Sequence, residues 1–68
     1  MSVYWMEFET PNGRKVEVDE AEDMNVMVAK IEEETEDKKG SKKGWRLAVI
    51  AMVDKDVYVP EEAKKFFK

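Results

Sequence analysis

The sequence predicts an α+β domain whose elements follow the order β-β-α-β-β-α. Two stretches of alternating apolar residues flank a Pro-Asn-Gly turn, a later segment has apolar residues at helical spacing, and a strongly apolar run follows that segment. We expect a four-stranded, mostly antiparallel sheet with one long amphipathic helix on one face and a short C-terminal helix. The 68 residues are predicted to form a single domain, residues 1–68, because so short a chain has material for one core.

The first two strands are predicted at residues 3–10 and 14–18. Side chains alternate in the first strand, so one of its sides receives large apolar residues, which are Tyr4, Met6 and Phe8. Pro11-Asn12-Gly13 is expected to reverse the chain, with the glycine in a left-handed conformation. We expect Val16 and Val18 of the second strand to face the core together with those three residues.

The main helix is predicted from an apolar stripe with i, i+3, i+4, i+7 spacing, formed by Met24, Met27, Val28 and Ile31. Its amino-terminal cap is Asp19 or Asp23, since both acidic residues suit the positive end of a helix dipole. Lys38 and Lys39 complement the negative end, and Gly40 is expected to adopt the left-handed capping conformation.

The second half of the chain is predicted to supply two strands and a short helix. The run from Trp45 to Val53 is apolar on both sides, which is typical of a central strand. Val57 to Val59 are predicted as a short fourth strand, and Pro60 as the start of the C-terminal helix. We expect this helix to fold back on the core through its apolar side chains, which are Ala63, Phe66 and Phe67.

Residues 3–31 follow a pattern that is shared with a known fold. A hairpin precedes a helix that Asp23 can cap, and the core side of this helix carries three aliphatic residues, Met24, Met27 and Ile31. In this combination the first half of the chain resembles ubiquitin-like, β-grasp proteins, which implies a sheet with a helix across it. The resemblance implies no functional residue, because the chain has Phe66-Phe67-Lys68 in place of a Gly-Gly tail and a short helix in place of a long final strand.

The residue inventory excludes several kinds of chemistry. No cysteine or histidine occurs, which rules out disulfides, thiolate and imidazole metal sites, and catalysis by either residue. A group of acidic residues lacks the glycine and the spacing of a calcium loop: Asp54, Asp56, Glu61 and Glu62. We expect no metal, no cofactor and no enzymatic activity, since a chain of this size has little volume for a catalytic cleft.

Charge is sorted along the chain. Residues 17–37 hold ten acids and one base, Lys30, and residues 38–46 hold five bases and no acid, so a segment of −9 precedes one of +5. The net charge is −4. Acidic residues on the outer side of the helix either dock on a basic partner or only keep the protein solvated. The acidic helix face is formed by Glu22, Glu32, Glu33 and Glu36.

The basic segment suggests a second function. Phosphate contacts and base stacking could bind nucleic acid, and the candidate residues are Lys38, Lys39, Lys42, Lys43, Trp45 and Arg46. The alternative is that the first two lysines cap the helix and the others keep a loop soluble. A net-acidic chain is an unfavourable general binder of nucleic acid, so we rank this function second.

The sheet face that carries Val3 and Trp5 is a further candidate surface. It is either open to a protein partner or a second copy, or covered by the C-terminal helix. The leading hypothesis is a small acidic, non-enzymatic protein-binding module, an adaptor or inhibitor, that uses the acidic helix face and this sheet face. A homodimeric structural domain is the third alternative. We expect a cytoplasmic protein, because the longest uncharged run, Leu47 to Val53, is too short to span a bilayer.

Overall fold

A computed structural model gives the fold of residues 1–36 and 40–67. The elements are β1 (Ser2–Thr10), β2 (Gly13–Ala21), α1 (Met24–Glu36), β3 (Arg46–Met52) and a terminal 3₁₀ helix (Glu61–Phe66). The three strands form one antiparallel sheet in the order β2-β1-β3. The α+β class fits this architecture, but the predicted four-stranded sheet with a C-terminal α-helix is wrong.

Residues 57–59 form no strand, because their backbone groups are used in a turn. The N–H groups of Val57 and Tyr58 both donate to the carbonyl of Asp54, each at 3.0 Å. Pro60 has no N–H to offer to a neighbouring strand. The chain then enters the terminal 3₁₀ helix, where the Ala63 N–H donates to the Pro60 carbonyl at 2.9 Å. Hydrogen bonds to the third preceding residue define this tighter helix.

β1 occupies the central position that the sequence pattern assigned to Trp45–Val53. The buried side chains of β1 come from both of its faces and are Val3, Tyr4, Met6 and Phe8. Among the described residues β3 pairs with β1 alone, so β3 is an edge strand and its predicted central position is wrong. Its two sides have different neighbours: Leu47 and Ile50 pack against the core, whereas Ala51 lines a pocket on the opposite face.

The hairpin between β1 and β2 fixes which side chains share a face. Thr10 pairs with Gly13, which has the predicted positive φ, +112°. This register places Val18 opposite Trp5 and Val16 opposite Glu7. Both valines therefore lie on the Trp5 side of the sheet (the Trp5 face), and their predicted position on the core side is wrong. A shift of one residue in register exchanges the two faces of a strand, and the loop length sets that register.

α1 covers the other side of the sheet, where the core lies. The core consists of buried residues from β1, β2 and α1, namely Tyr4, Met6, Phe8, Ala21, Met27 and Ile31. Of the two predicted caps the structure uses Asp23, whose Oδ1 accepts a hydrogen bond from the Val26 N–H at 2.9 Å. Met24, expected in the apolar stripe, remains 37% exposed at the first turn. The predicted helix end at Lys38 and Lys39 lies outside the described residues.

Candidate functional site

The Trp5 face is covered in part. The terminal 3₁₀ helix packs against β1 and β2 on this side and buries Ala63 completely. Val3 is also buried, with 6% of its surface exposed, so it is not available as the open contact residue that the sequence suggested. Trp5 is half-buried and keeps a side toward solvent. The candidate surface therefore begins at Trp5 and extends toward β3.

An apolar pocket of about 260 Å³ lies beside Trp5. Its walls come from β1, from the end of β3 and from the segment that follows, and the lining residues are Trp5, Ala51, Met52, Val53, Asp54, Val57, Tyr58 and Pro60. We call this cavity the Trp5 pocket. Val57 and Tyr58 are 80% and 71% exposed, so the Asp54 turn holds two large apolar side chains in solvent at its rim. Exposed apolar residues grouped around a concavity are typical of a binding site.

Sequence reasoning identified Trp5 but missed the other wall of the pocket. The sequence pattern predicts Val57 and Tyr58 in a short strand and Pro60 at the start of the C-terminal helix, and it predicts none of them in a binding surface. Asp54 and Asp56 indicate a short turn, as the sequence predicts, but this turn extends to Val57 and displaces the expected strand. Asp54 Oδ1 indeed accepts a hydrogen bond from the Asp56 N–H at 2.9 Å.

The acidic helix face is exposed but divided. Glu32, Glu33 and Glu36 lie together on the last turns of α1, and Glu22 lies before its first turn, roughly 15–20 Å away along the helix axis. All four side chains are exposed, and none is in a salt bridge with another described residue. The carboxylates at the end of α1 are therefore the compact part of this surface.

Other acids of the same segment are neutralised within the molecule. The Lys30 ammonium lies 2.5 Å from Asp19 Oδ2. Burial acts to raise the pKa of the Asp19 carboxyl, but the hydrogen bonds from Lys30 and from the Glu20 N–H outweigh it, and the pKa is lowered. The hydrogen bond to Asp19 also raises the pKa of Lys30. The negative segment of the sequence is thus less negative at the surface than its residue count suggests.

Lys42 connects β2 to α1 by ion pairs. Its Nζ lies 3.1 Å from Glu17 Oε1 and 3.3 Å from Glu34 Oε2, and its side chain is only 15% exposed. Burial acts to lower the pKa of Lys42, but hydrogen bonds and charges from the two glutamates outweigh burial, and the pKa is raised. The Lys42 backbone N–H also donates to the Glu34 carbonyl at 3.1 Å. Lys42 therefore acts as an internal support of the fold.

Trp45 and Arg46 are also engaged within the molecule. The Trp45 ring packs on Phe8 with centroids 5.5 Å apart, and the ammonium groups of Lys15 and Lys42 each lie 5.9 Å from its centroid. Arg46 pairs with Glu9, and this hydrogen bond, with the charge of Arg46, lowers the pKa of the Glu9 carboxyl. Of the other nucleic-acid candidates, Lys43 is exposed, while Lys38 and Lys39 lie outside the described residues.

A second cavity of about 350 Å³ is more polar and lies between β2 and the terminal 3₁₀ helix. Its lining residues include Glu17 and Glu62, but the Glu17 carboxylate is paired with Lys42. Within residues 1–36 and 40–67 no cluster of three acidic side chains has a geometry that could hold a metal ion. In the same part of the chain, no helix has the length and apolarity needed to cross a membrane.

Comparison with known proteins finds no family model, no curated protein and no solved structure that matches the chain. The resemblance of residues 3–31 to ubiquitin-like proteins therefore gains no support. The long final strand of that family is also absent from the described residues, which end in the terminal 3₁₀ helix.

Proposed function

We propose that this protein is a small acidic, non-enzymatic protein-binding module, an adaptor or inhibitor, and that its binding surface is centred on the Trp5 pocket. The observation that carries the proposal is the exposure of Val57 and Tyr58 at the rim of an apolar cavity. A domain with so small a core gains stability by burying such residues, so their exposure favours a role in contact with a partner.

The partner that suits this surface is a basic protein segment with an apolar anchor residue. A cavity of about 260 Å³ has room for one aliphatic or aromatic side chain. Asp54 lines the pocket, Asp56 lies in the adjoining turn, and the net charge of the protein is −4, so positive flanking residues would be attracted. The carboxylates at the end of α1 would add long-range attraction during the encounter.

Fluorescence of Trp5 gives a direct test. In a Trp45→Phe protein, which keeps an aromatic ring against Phe8, Trp5 is the single tryptophan and reports on the pocket. The probes are short peptides rich in Lys and Arg with a central Leu, Phe or Ser. We expect the Leu and Phe peptides to change the Trp5 emission, and Tyr58→Ser to weaken their binding about tenfold. The Ser peptide is the matched control for charge without an anchor.

Charge variants separate the long-range attraction by the helix carboxylates from the binding of the apolar anchor residue in the Trp5 pocket. Replacing Glu32, Glu33 and Glu36 with Lys should slow association with the same peptides and weaken its salt dependence, and replacement with Gln should give a smaller effect. Peptides that leave Trp5 emission unchanged at low salt, or a Ser peptide that binds as well as the Leu peptide, would refute binding at the pocket.

We place this module in the cytoplasm. The assignment is supported by a charged fraction of 41% and by a longest uncharged run that reaches only from Leu47 to Val53.

A further inference from the structure

The two edge strands of the sheet, β2 and β3, differ in how well their charges protect them from pairing with another chain. β2 carries charges along most of its length, with Arg14, Lys15, Glu17, Asp19 and Glu20. β3 has one charged residue, Arg46 at its start, and the chain stays uncharged from Leu47 to Val53. Charged residues on an edge strand discourage pairing with another chain, whereas an uncharged apolar edge invites it. β3 is therefore the edge strand that can pair with another chain.

The backbone of β3 presents free hydrogen-bonding groups at this edge. The Val53 N–H donates to the Val3 carbonyl at 2.8 Å, and the register pairs Ala51 with Trp5. Backbone groups alternate in direction along an antiparallel strand, so those of Ile50 and Met52 point away from β1. Within the part of the chain that the structure describes, no other strand pairs with them.

The segment Val49–Val53 is complementary to itself. If a second copy runs antiparallel with the two Ala51 residues opposite each other, Val49 faces Val53 and Ile50 faces Met52. The outward N–H and C=O groups of Ile50 and Met52 then meet across the two-fold axis. The two Ala51 side chains lie on the axis, and an Ile50–Met52 pair lies on each side of it. The register irregularity of β3 falls between the partners of Glu7 and Phe8, outside this segment.

Charge is complementary in the same arrangement. Arg46 lies at the start of β3, and Asp54 and Asp56 follow its end. Antiparallel pairing brings the arginine of each copy beside the aspartates of the other, at both ends of the interface. The Arg46 side chain is 77% exposed and can reach across while its partner Glu9 remains near.

We propose that the protein forms a two-fold symmetric dimer by antiparallel pairing of two β3 edges, which creates a continuous six-stranded sheet. The axis is perpendicular to the sheet, so both Trp5 pockets open on the same side of the dimer. This proposal does not rest on the proposed function, because the pairing uses the outer backbone edge of β3. The two surfaces are adjacent, since Ala51, Met52, Val53 and Asp54 also line the Trp5 pocket.

Sedimentation equilibrium of the purified protein over a range of concentrations tests the dimer. We expect wild type to dimerise and Met52→Lys to be monomeric, because the new ammonium would face Ile50 of the second copy. Met52 is 58% exposed, so this variant should keep its fold, which circular dichroism checks. The matched control is Val16→Lys on β2, the other edge strand, where a 37% exposed residue is changed in the same way and dimerisation should persist.

Charge reversal tests the register. Arg46→Glu alone and the double variant Asp54→Lys with Asp56→Lys should each weaken self-association, since like charges then meet at both ends. An equimolar mixture of the two should restore a dimer, as a heterodimer with unlike charges at both ends. A wild type that stays monomeric, a dimer that survives Met52→Lys, or a mixture that fails to associate would each overturn the proposal. Peptide binding at Trp5 by a monomer would leave the proposed function intact.

Discussion

Lys42 is a single side chain that connects β2, α1 and the Trp45 ring. It joins Glu17 of β2 to Glu34 of α1 and lies beside the Trp45 ring. The sequence presents it as one lysine among several in a polar loop, and only the structure distinguishes it from Lys43, whose side chain is exposed. Its low exposure means that solvent screens these ion pairs less than ordinary surface pairs.

Lys42→Met should lower the free energy of unfolding by about 1–2 kcal/mol, because two glutamates would face each other without a cation. Lys43→Met is the matched control and should change it by less than about 0.5 kcal/mol. Urea unfolding at neutral pH measures both values. Equal effects of the two variants would contradict the assigned role of Lys42.

The pH dependence of the same comparison follows from the raised pKa of Lys42. A raised pKa means that the charged ammonium stabilises the fold fully below the ordinary lysine pKa of 10.5. This stabilisation is lost as the pH rises through the folded-state value. The difference in stability between wild type and Lys42→Met should therefore be constant at neutral pH and decrease above 10.5.

At the scale of the elements, local chemistry determines the hairpin. Thr10 Oγ1 accepts a hydrogen bond from the Asn12 N–H at 3.1 Å and donates to the Gly13 carbonyl at 2.7 Å. Gly13 has φ of +112°, and beyond its two chain neighbours no residue has an atom within 4 Å of the place where its Cβ would be. A substitution there meets backbone strain and no clash.

Gly13→Ala should therefore destabilise the protein by about 1–2 kcal/mol through backbone strain alone. Asn12→Ala, at the neighbouring turn position, keeps the backbone hydrogen bond and should cost less than about 0.5 kcal/mol. Thermal unfolding followed by circular dichroism compares the two. A Gly13 variant as stable as the Asn12 variant would show that the positive φ carries no strain.

Elements with local signals were predictable, and those that depend on distant neighbours were not. The turn glycine and the Asp23 cap follow from residues next to them, so sequence patterns indicated both. The apolar pattern of Trp45–Val53 predicts burial on both sides, but most residues of β3 are exposed. The pattern does not show whether another strand lies beyond. The pocket wall at Val57 and Tyr58 depends on the Asp54 carbonyl accepting both N–H groups, which a period of two does not reveal.

For the molecule as a whole, the terminal 3₁₀ helix completes the second side of the sheet. Ala63 is fully buried between this helix and the sheet, and Val3 lies beneath the same side. Six residues are too few to form a stable helix in isolation, so its structure depends on this contact.

Ala63→Lys should detach the terminal 3₁₀ helix, because a buried ammonium without a partner is strongly unfavourable. We expect a loss of about 2–4 kcal/mol in unfolding free energy and a red shift of Trp5 emission in the Trp45→Phe background. Lys64→Ala is the control, since Lys64 is exposed and pairs only with Glu61 at 2.8 Å among the described residues. A blue-shifted or unchanged Trp5 in the Ala63 variant would contradict docking of this helix.

The central position of β1 has a consequence for biosynthesis. β1 is made first, and it pairs with β2 soon afterwards, but its other edge has no neighbour until β3 has been translated. The nascent hairpin displays Tyr4, Met6 and Phe8 to solvent until α1 has been made, and one row of β1 backbone groups stays unpaired until β3 follows. The sheet is therefore complete only when β3 pairs with β1, an arrangement that includes the hydrogen bond from Val53 to Val3. A ribosome that stalls within the lysine-rich loop would hold a fragment suited to chaperone binding or aggregation.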